Sequence, residues 1–158
     1  MTSIYDRLKS DHDRQRDMLA SLAETSGDSD ERRKLWKTFY YDIGAHAAAE
    51  EEAFYAPFME DSKGQPTARH SVSEHHEVDE MIQDIEDMDF SSPGWLTRFK
   101  TMRERYEHHM KEEEEEIFAT ARKVLGADSS GEMADKFDTR KKKERGLVDK
   151  KVEEEMEE

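Results

Sequence analysis

Read at about 100° per residue, the apolar positions fall into stripes of helical period, and no run alternates in the manner of a strand. Leu35, Phe39, Ile43, Phe54 and Pro57 share one arc of a second helix. Trp95, Phe99, Met102, Tyr106, Ile117 and Val124 share one arc of a fourth. Ile4, Leu8, Leu19 and Leu22 form the same pattern in a first helix, and Val72, Val78, Ile82 and Ile85 in a third. Breaks fall between them: the polar stretch 25–30, then Lys63, Gly64, Gln65 and Pro66, then Ser91, Ser92, Pro93 and Gly94, and finally Gly126. The spacing predicts helices over about 3–27, 31–60, 67–88 and from the turn at Pro93 to 125. Short connections between four such helices predict an all-α chain folded as an up-down-up-down four-helix bundle. A short C-terminal fifth helix is expected over about 131–145, with Met133, Phe137 and Leu147 against the bundle. The last ten residues are expected to fray. The chain thus divides into a bundle, 1–126, and a charged C-terminal helix with a partly disordered tail, 127–158.

Polar residues interrupt these stripes at matching places. His46 and Glu50 sit in the second arc, His109 and Glu113 in the fourth, His12 in the first and His75 in the third. All belong to an internal repeat. SDHDRQRDML (10–19) aligns with SEHHEVDEMI (73–82), and HAAAEEEAFYA (46–56) with HMKEEEEEIFA (109–119), both 63 residues apart and without a gap. The chain reads as two copies of a helical hairpin, each contributing one His and then His-x-x-x-Glu. A pseudo-twofold pairing of the hairpins would place a symmetric site on its axis. His70, His76 and His108 project away from the stripes and read as surface residues.

A buried, unpaired carboxylate is costly, and two near each other repel. Cations reverse that cost and also accept imidazole nitrogen. His-x-x-x-Glu sets both side chains one turn apart on a single face, within reach of one cluster. If both carboxylates bridge two metals, each metal receives two His nitrogens and two Glu oxygens, and an octahedral ion keeps further positions for small ligands. This donor set suits Fe, Mn or Zn rather than Cu(I). A pair of ions with open positions and variable oxidation state favours iron, with manganese behind it. Tyr106 and Tyr5 face the same region as hydrogen-bond partners or as core aromatics. The runs Glu50 to Glu52 and Glu112 to Glu116 each hold one inward carboxylate, and Glu51 and Glu114 are candidates to orient a ligand His.

Composition narrows the setting. Hydrophobic residues make up 34% and charged residues 41%, so the core is thin and most of each helix faces water. A net charge of −15 argues against nucleic acid and against an anionic membrane surface as partners. No stretch approaches the roughly 20 apolar residues that span a bilayer, and the start of the chain has no signal-like apolar run. With no cysteine, disulfides and thiolate sites are excluded. The expectation is a soluble cytoplasmic protein whose metal sits on nitrogen and oxygen.

The order His12, His46-x-x-x-Glu50, His75, His109-x-x-x-Glu113 resembles the bacterial branch of the hemerythrin-like (HHE cation-binding) family, over about residues 3–126. The tail resembles, more weakly, the extra C-terminal helix of many bacterial members. The resemblance implies a four-helix bundle with a non-haem di-iron centre bridged by carboxylates and an oxo or hydroxo group. Two positions depart from the oxygen carriers of that family. They have His-x-x-x-His on the third helix, where Ser71 precedes His75 here, and His-x-x-x-x-Asp on the fourth, where this chain has His109-x-x-x-Glu113. The centre becomes more symmetric, nearer to the di-iron and di-manganese carboxylate sites that react with O2 or peroxide. The expected function is a di-iron protein that binds or reacts with O2, H2O2 or NO, catalase-like turnover included. The alternative is an oxygen- or iron-sensing or storage module without turnover, and a metal-free helical scaffold is the third reading.

Overall fold

The computed structural model describes residues 3–126 and 130–157, with side-chain surroundings for 3–126 and 131–147. Among the described residues all regular structure is helical. Helix α1 is Ile4–Ala23. Ser3 starts it with a reciprocal cap: its hydroxyl accepts from the Asp6 N–H at 3.1 Å, and the Asp6 carboxylate reaches back to the Ser3 N–H. Helix α2 comprises Asp30–Glu50, a π-helical turn Glu51–Tyr55 and a last α turn Ala56–Glu60, with Ser29 capping it. Helix α3 is Gln65–Glu86, with Pro66 in its first turn. Helix α4 comprises Trp95–Glu112, a second π turn Glu113–Ile117 and Phe118–Leu125. Helix α5 is Ser130–Glu157, longer than the expected 131–145. Its backbone is helical to Glu157, within the stretch expected to fray, whose side chains lie outside the described residues.

The turns explain two of the glycines. Gly126 ends α4 with φ +75°, a conformation that L side chains rarely adopt. At Gly64 a Cβ would lie 2.6 Å from the Phe58 carbonyl oxygen, so only glycine lets the α2–α3 turn close on α2. At the opposite end Arg32 is buried and ties two turns together. Its Nε donates to Thr25 Oγ1, and its other nitrogens donate to the carbonyls of Thr25 and Phe90 at 2.9 Å, while its guanidinium lies 4.3 Å over the Trp95 ring.

The two π turns change the register of the buried stripes. The Ala56 N–H bonds to the Glu51 carbonyl and the Phe118 N–H to the Glu113 carbonyl, five residues back rather than four. Each turn therefore carries an extra residue. Past Glu50 the buried positions become Phe54, Tyr55 and Phe58, and Pro57 is half-buried instead of inward as expected. Past Glu113 they become Ile117, Phe118 and Ala121, and Val124 is likewise half-buried.

Apolar packing gathers into two clusters. One is built around Trp36, Phe39, Trp95 and Phe99. The other is built around Tyr5, Phe54, Phe58 and Phe118. Helix α5 lies against α1 and α2 and inserts Met133 and Phe137 into the second cluster. Leu147, expected to join them, is 55% exposed. Ten residues on from Phe137, it points about 80° away from that side chain's direction. No helix among the described residues is long and apolar enough to cross a membrane.

Phe137 and Leu147 thus make opposite predictions for chemical denaturation. Phe137→Ala should cost about 3–5 kcal/mol. Leu147→Ala should stay within about 0.5 kcal/mol of the unmodified chain. Equal effects would mean that α5 does not dock through Phe137.

Candidate metal centre

Midway along the bundle the four main helices turn polar side chains inward at one level. His12 comes from α1, His46 and Glu50 from α2, His75 from α3, and His109 and Glu113 from α4. All six are buried, and both glutamates are fully so. The imidazoles present Nε2 to the carboxylates. Glu50 places Oε2 3.2 Å from His46 Nε2 and Oε1 3.0 Å from His75 Nε2. Glu113 places Oε1 3.1 Å from His12 Nε2, and Oε2 3.2 Å from His109 Nε2 and 3.8 Å from His75 Nε2. Each carboxylate therefore gives one oxygen to each half of the layer. Two groups of four result, His12/His46/Glu50/Glu113 and Glu50/His75/His109/Glu113, each with its ligand atoms within 4.8 Å of one another.

Hydrogen bonding leaves this layer unsatisfied. Both oxygens of Glu50, Oε1 of Glu113 and Nε2 of His109 are buried without an aligned hydrogen-bond partner among the described residues. Burial alone pushes an acid up and an imidazole down. Here the mutual attraction outweighs burial. Glu113 is held well below the usual carboxylate range by His109, His12 and His75. His46, beside Glu50 and Asp11, and His109, beside Glu113 and Glu74, are raised to about 9, and His12 and His75 are raised as well. In chemical terms the layer is a cage for positive charge. With the second imidazole protons displaced, its nitrogens and carboxylate oxygens form a donor set that cations of the Fe, Mn or Zn kind accept.

A second ring of carboxylates orients the imidazoles from behind. His46 Nδ1 lies 2.8 Å from Asp11 Oδ2, His12 Nδ1 3.0 Å from Glu114 Oε2, and His109 Nδ1 3.2 Å from Glu74 Oε1. His75 Nδ1 faces Glu51 Oε1 more loosely, at 3.8 Å. A carboxylate can only accept, so the bonded Nδ1 atoms carry the hydrogen and Nε2 is left facing inward. This ring keeps the repeat: Asp11 and Glu74 are 63 residues apart, as are Glu51 and Glu114. Glu51 and Glu114 were identifiable from sequence. Asp11 and Glu74 were missed, although each immediately precedes a repeated His at the same offset.

Other side chains break the symmetry. Lys141 of α5 sets Nζ 2.8 Å from Asp11 Oδ2, and the Phe137 ring stands edge-on to His46 at 5.8 Å. Arg16 pairs with Glu114. Tyr55, which the uniform helical period turned away from the layer, donates its hydroxyl to Glu113 Oε2 at 2.5 Å and pairs with Ser71 Oγ. Burial first, and then Glu113 and Glu50, raise its pKa well above the ordinary value, so it stays a donor. At the repeat-equivalent positions stand Phe118 and Leu8, which cannot do this. Tyr106 instead donates to Gln15 Oε1, and Tyr5 packs in the aromatic cluster under Arg122. His70, His76 and His108 are exposed, as expected.

Comparison with known proteins follows the same lines. The family model of the hemerythrin HHE cation binding domain matches residues 3–121. The chain is 26% identical over 141 residues to a protein named DNA nickase from Nostoc sp., a match covering 89% of this chain and 40% of that protein. The chain therefore spans less than half of that relative's length. It is 24% identical over 144 residues to an uncharacterized hemerythrin-like protein of Schizosaccharomyces pombe, covering 90% of this chain and 70% of the other. Among solved structures, a hemerythrin HHE cation binding domain-containing protein from Mycobacterium kansasii superposes with a TM-score of 0.86 at 21% identity. That superposition covers 97% of this chain and 93% of the other, and it establishes likeness of fold.

The Tyr55 contact is open to direct test. Tyr55→Phe strips a buried donor from Glu113 and Ser71 and should destabilise the chain by about 1–3 kcal/mol. The repeat-equivalent Phe118→Tyr should not restore it. A Tyr55→Phe chain of unchanged denaturation midpoint would show that the hydroxyl carries no such bond.

Proposed function

Because the chain belongs to the hemerythrin HHE cation-binding family, we propose that its six-residue layer holds two iron ions and binds or reacts with a small oxidant or diatomic ligand, O2, H2O2 or NO. The observation that carries this reading is the division of each glutamate between the two halves of the layer, with buried oxygens that no hydrogen bond satisfies. His12 and His46 would hold one ion, His75 and His109 the other, and Glu50 and Glu113 would be shared. Two linked redox ions would exchange two electrons, reducing one peroxide to water and recovering the electrons by oxidising a second to O2, which is the chemistry of a catalase-like reaction.

The chain's own residues supply the surroundings. Asp11, Glu74 and Glu114 fix the imidazoles with Nε2 inward. The two apolar clusters limit water in the core. Tyr55 keeps a proton at Glu113 Oε2. Ser71, standing where the oxygen carriers have a histidine, pairs with that same hydroxyl. A hydroxyl pair in place of an imidazole supports reaction over reversible carriage. A second reading, oxygen or iron sensing or storage without turnover, draws support from Lys141, which ties α5 through Asp11 to His46. Nicking of DNA is left aside, since the nickase-named relative is much longer and a net charge of −15 opposes phosphate binding.

Elemental analysis should find two irons per chain. Glu50→Ala and Glu113→Ala should each lower iron content and melting temperature together, because an ion held only by the folded state stabilises it by about 2.7 kcal/mol at one hundred times its dissociation constant. Chelation should shrink the difference between these variants and the unmodified chain. Full iron with an unchanged melting temperature in either variant would overturn the ligand assignment. His76→Ala and His108→Ala should leave the iron spectrum unaltered. Catalytic destruction of peroxide by the iron-loaded protein supports turnover, whereas a stable adduct supports the sensing reading.

A further inference from the structure

Among the further His-x-x-x-Glu spacings on the outer faces of α3 and α4 are His70 with Glu74 and His108 with Glu112. Neither spacing is itself repeated: the residues 63 positions before His70 and Glu112 are Arg7 and Ala49. Folding brings them together. His70 Nε2 lies 3.4 Å from Glu74 Oε1 and 3.0 Å from Glu112 Oε1, and the other Glu112 oxygen lies 3.4 Å from His108 Nε2. One ligand atom from each of His70, Glu74 and Glu112 falls within 4.8 Å of the other two. The side chains of Glu74 and Glu112 are only 12% and 18% exposed, while that of His70 is 60% exposed. Two carboxylates are thus drawn out of water side by side, beneath an imidazole open to solvent.

The opposite face of the bundle shows what such a carboxylate calls for. There Asp11, the repeat partner of Glu74, receives the Lys141 ammonium at 2.8 Å from α5. Glu74, on α3, instead faces the imidazoles of His70 and His109. We propose that His70, Glu74 and Glu112, with His108 at the rim, form a peripheral site for a divalent transition-metal cation of the Zn²⁺ kind. Imidazole nitrogen with carboxylate oxygens is the donor set such ions take, and three protein ligands on a solvent-facing surface leave a position for water. The site is distinct from the buried layer and is linked to it through Glu74, whose Oε1 also lies 3.2 Å from His109 Nδ1.

The test titrates the iron-loaded full-length chain with zinc chloride by calorimetry, measuring iron before and after. One zinc per chain should bind with iron content unchanged. His70→Ala and Glu112→Gln should each weaken zinc at least tenfold, and the exposed control His76→Ala should bind it as the unmodified chain does. The proposal is overturned by no zinc uptake, by equal affinity in the His70 and Glu112 variants, by equal loss in the His76 variant, or by zinc taken up only as iron leaves. Iron measured before zinc is added reports on the buried layer alone. A chain that lacks iron yet binds zinc through His70 would sink the di-iron reading and keep this one.

Discussion

Everything in this bundle is arranged around the burial of two carboxylates that no hydrogen bond fully satisfies. An ionised carboxylate without a partner is among the costliest groups to enclose in protein. Glu50 and Glu113 are enclosed together, within reach of the same imidazoles. The four histidines, the ring of carboxylates behind them, and the cations those ligands invite all answer that one cost. The answer is cooperative: removing one member leaves the rest uncompensated, which is why the layer is built from all four main helices and not from one.

Duplication makes such a layer accessible, and divergence makes it useful. Two related hairpins meeting about an axis deliver matched imidazoles and carboxylates without separate invention of each half. What departs from the match lies beside the layer. On one side Tyr55 and Ser71 place a proton against Glu113, where the repeat puts Phe118 and Leu8. Elsewhere Lys141 and Phe137 of α5 close over Asp11 and His46, while the matching carboxylate, Glu74, faces His70 and Glu112. The two halves would therefore differ in proton supply and in exposure of their outer carboxylates, even with the same inner ligands.

The stripes and the constant offset made the bundle and the six inward residues legible, because a carboxylate in the middle of an apolar arc is a conspicuous anomaly. Met133 and Phe137 were legible as apolar residues of the expected fifth helix. Tyr55 was not. A uniform helical period turns it away from the layer, and only the five-back hydrogen bond of the π turn brings it in. That choice of bond is settled by tertiary packing, so it leaves no periodic trace. Asp11 and Glu74 were hidden differently: acidic residues are so frequent here, 40 of Asp and Glu together, that two oriented ones look like the solvated background. Leu147 was misplaced because an apolar residue near the end of a helix was read for its chemistry rather than its angle.

The π turns also bear on why the layer sits where it does. Both occur at a buried glutamate, one beginning at the residue after Glu50 and the other at Glu113 itself. Single π turns inside α-helices are uncommon and concentrate at functional sites. An unbroken α-helix would aim the glutamate and the residue four later in nearly the same direction, and the neighbouring aromatic away. The extra residue lets both follow: Phe54 and Tyr55 are buried beyond Glu50, as are Ile117 and Phe118 beyond Glu113. The widened turns thus bury an aromatic beyond each glutamate: Tyr55 reaches Glu113, and Phe118 packs against Tyr5 and Phe54. The inward glutamates and the aromatics buried beyond them are in this way set by the same local irregularity.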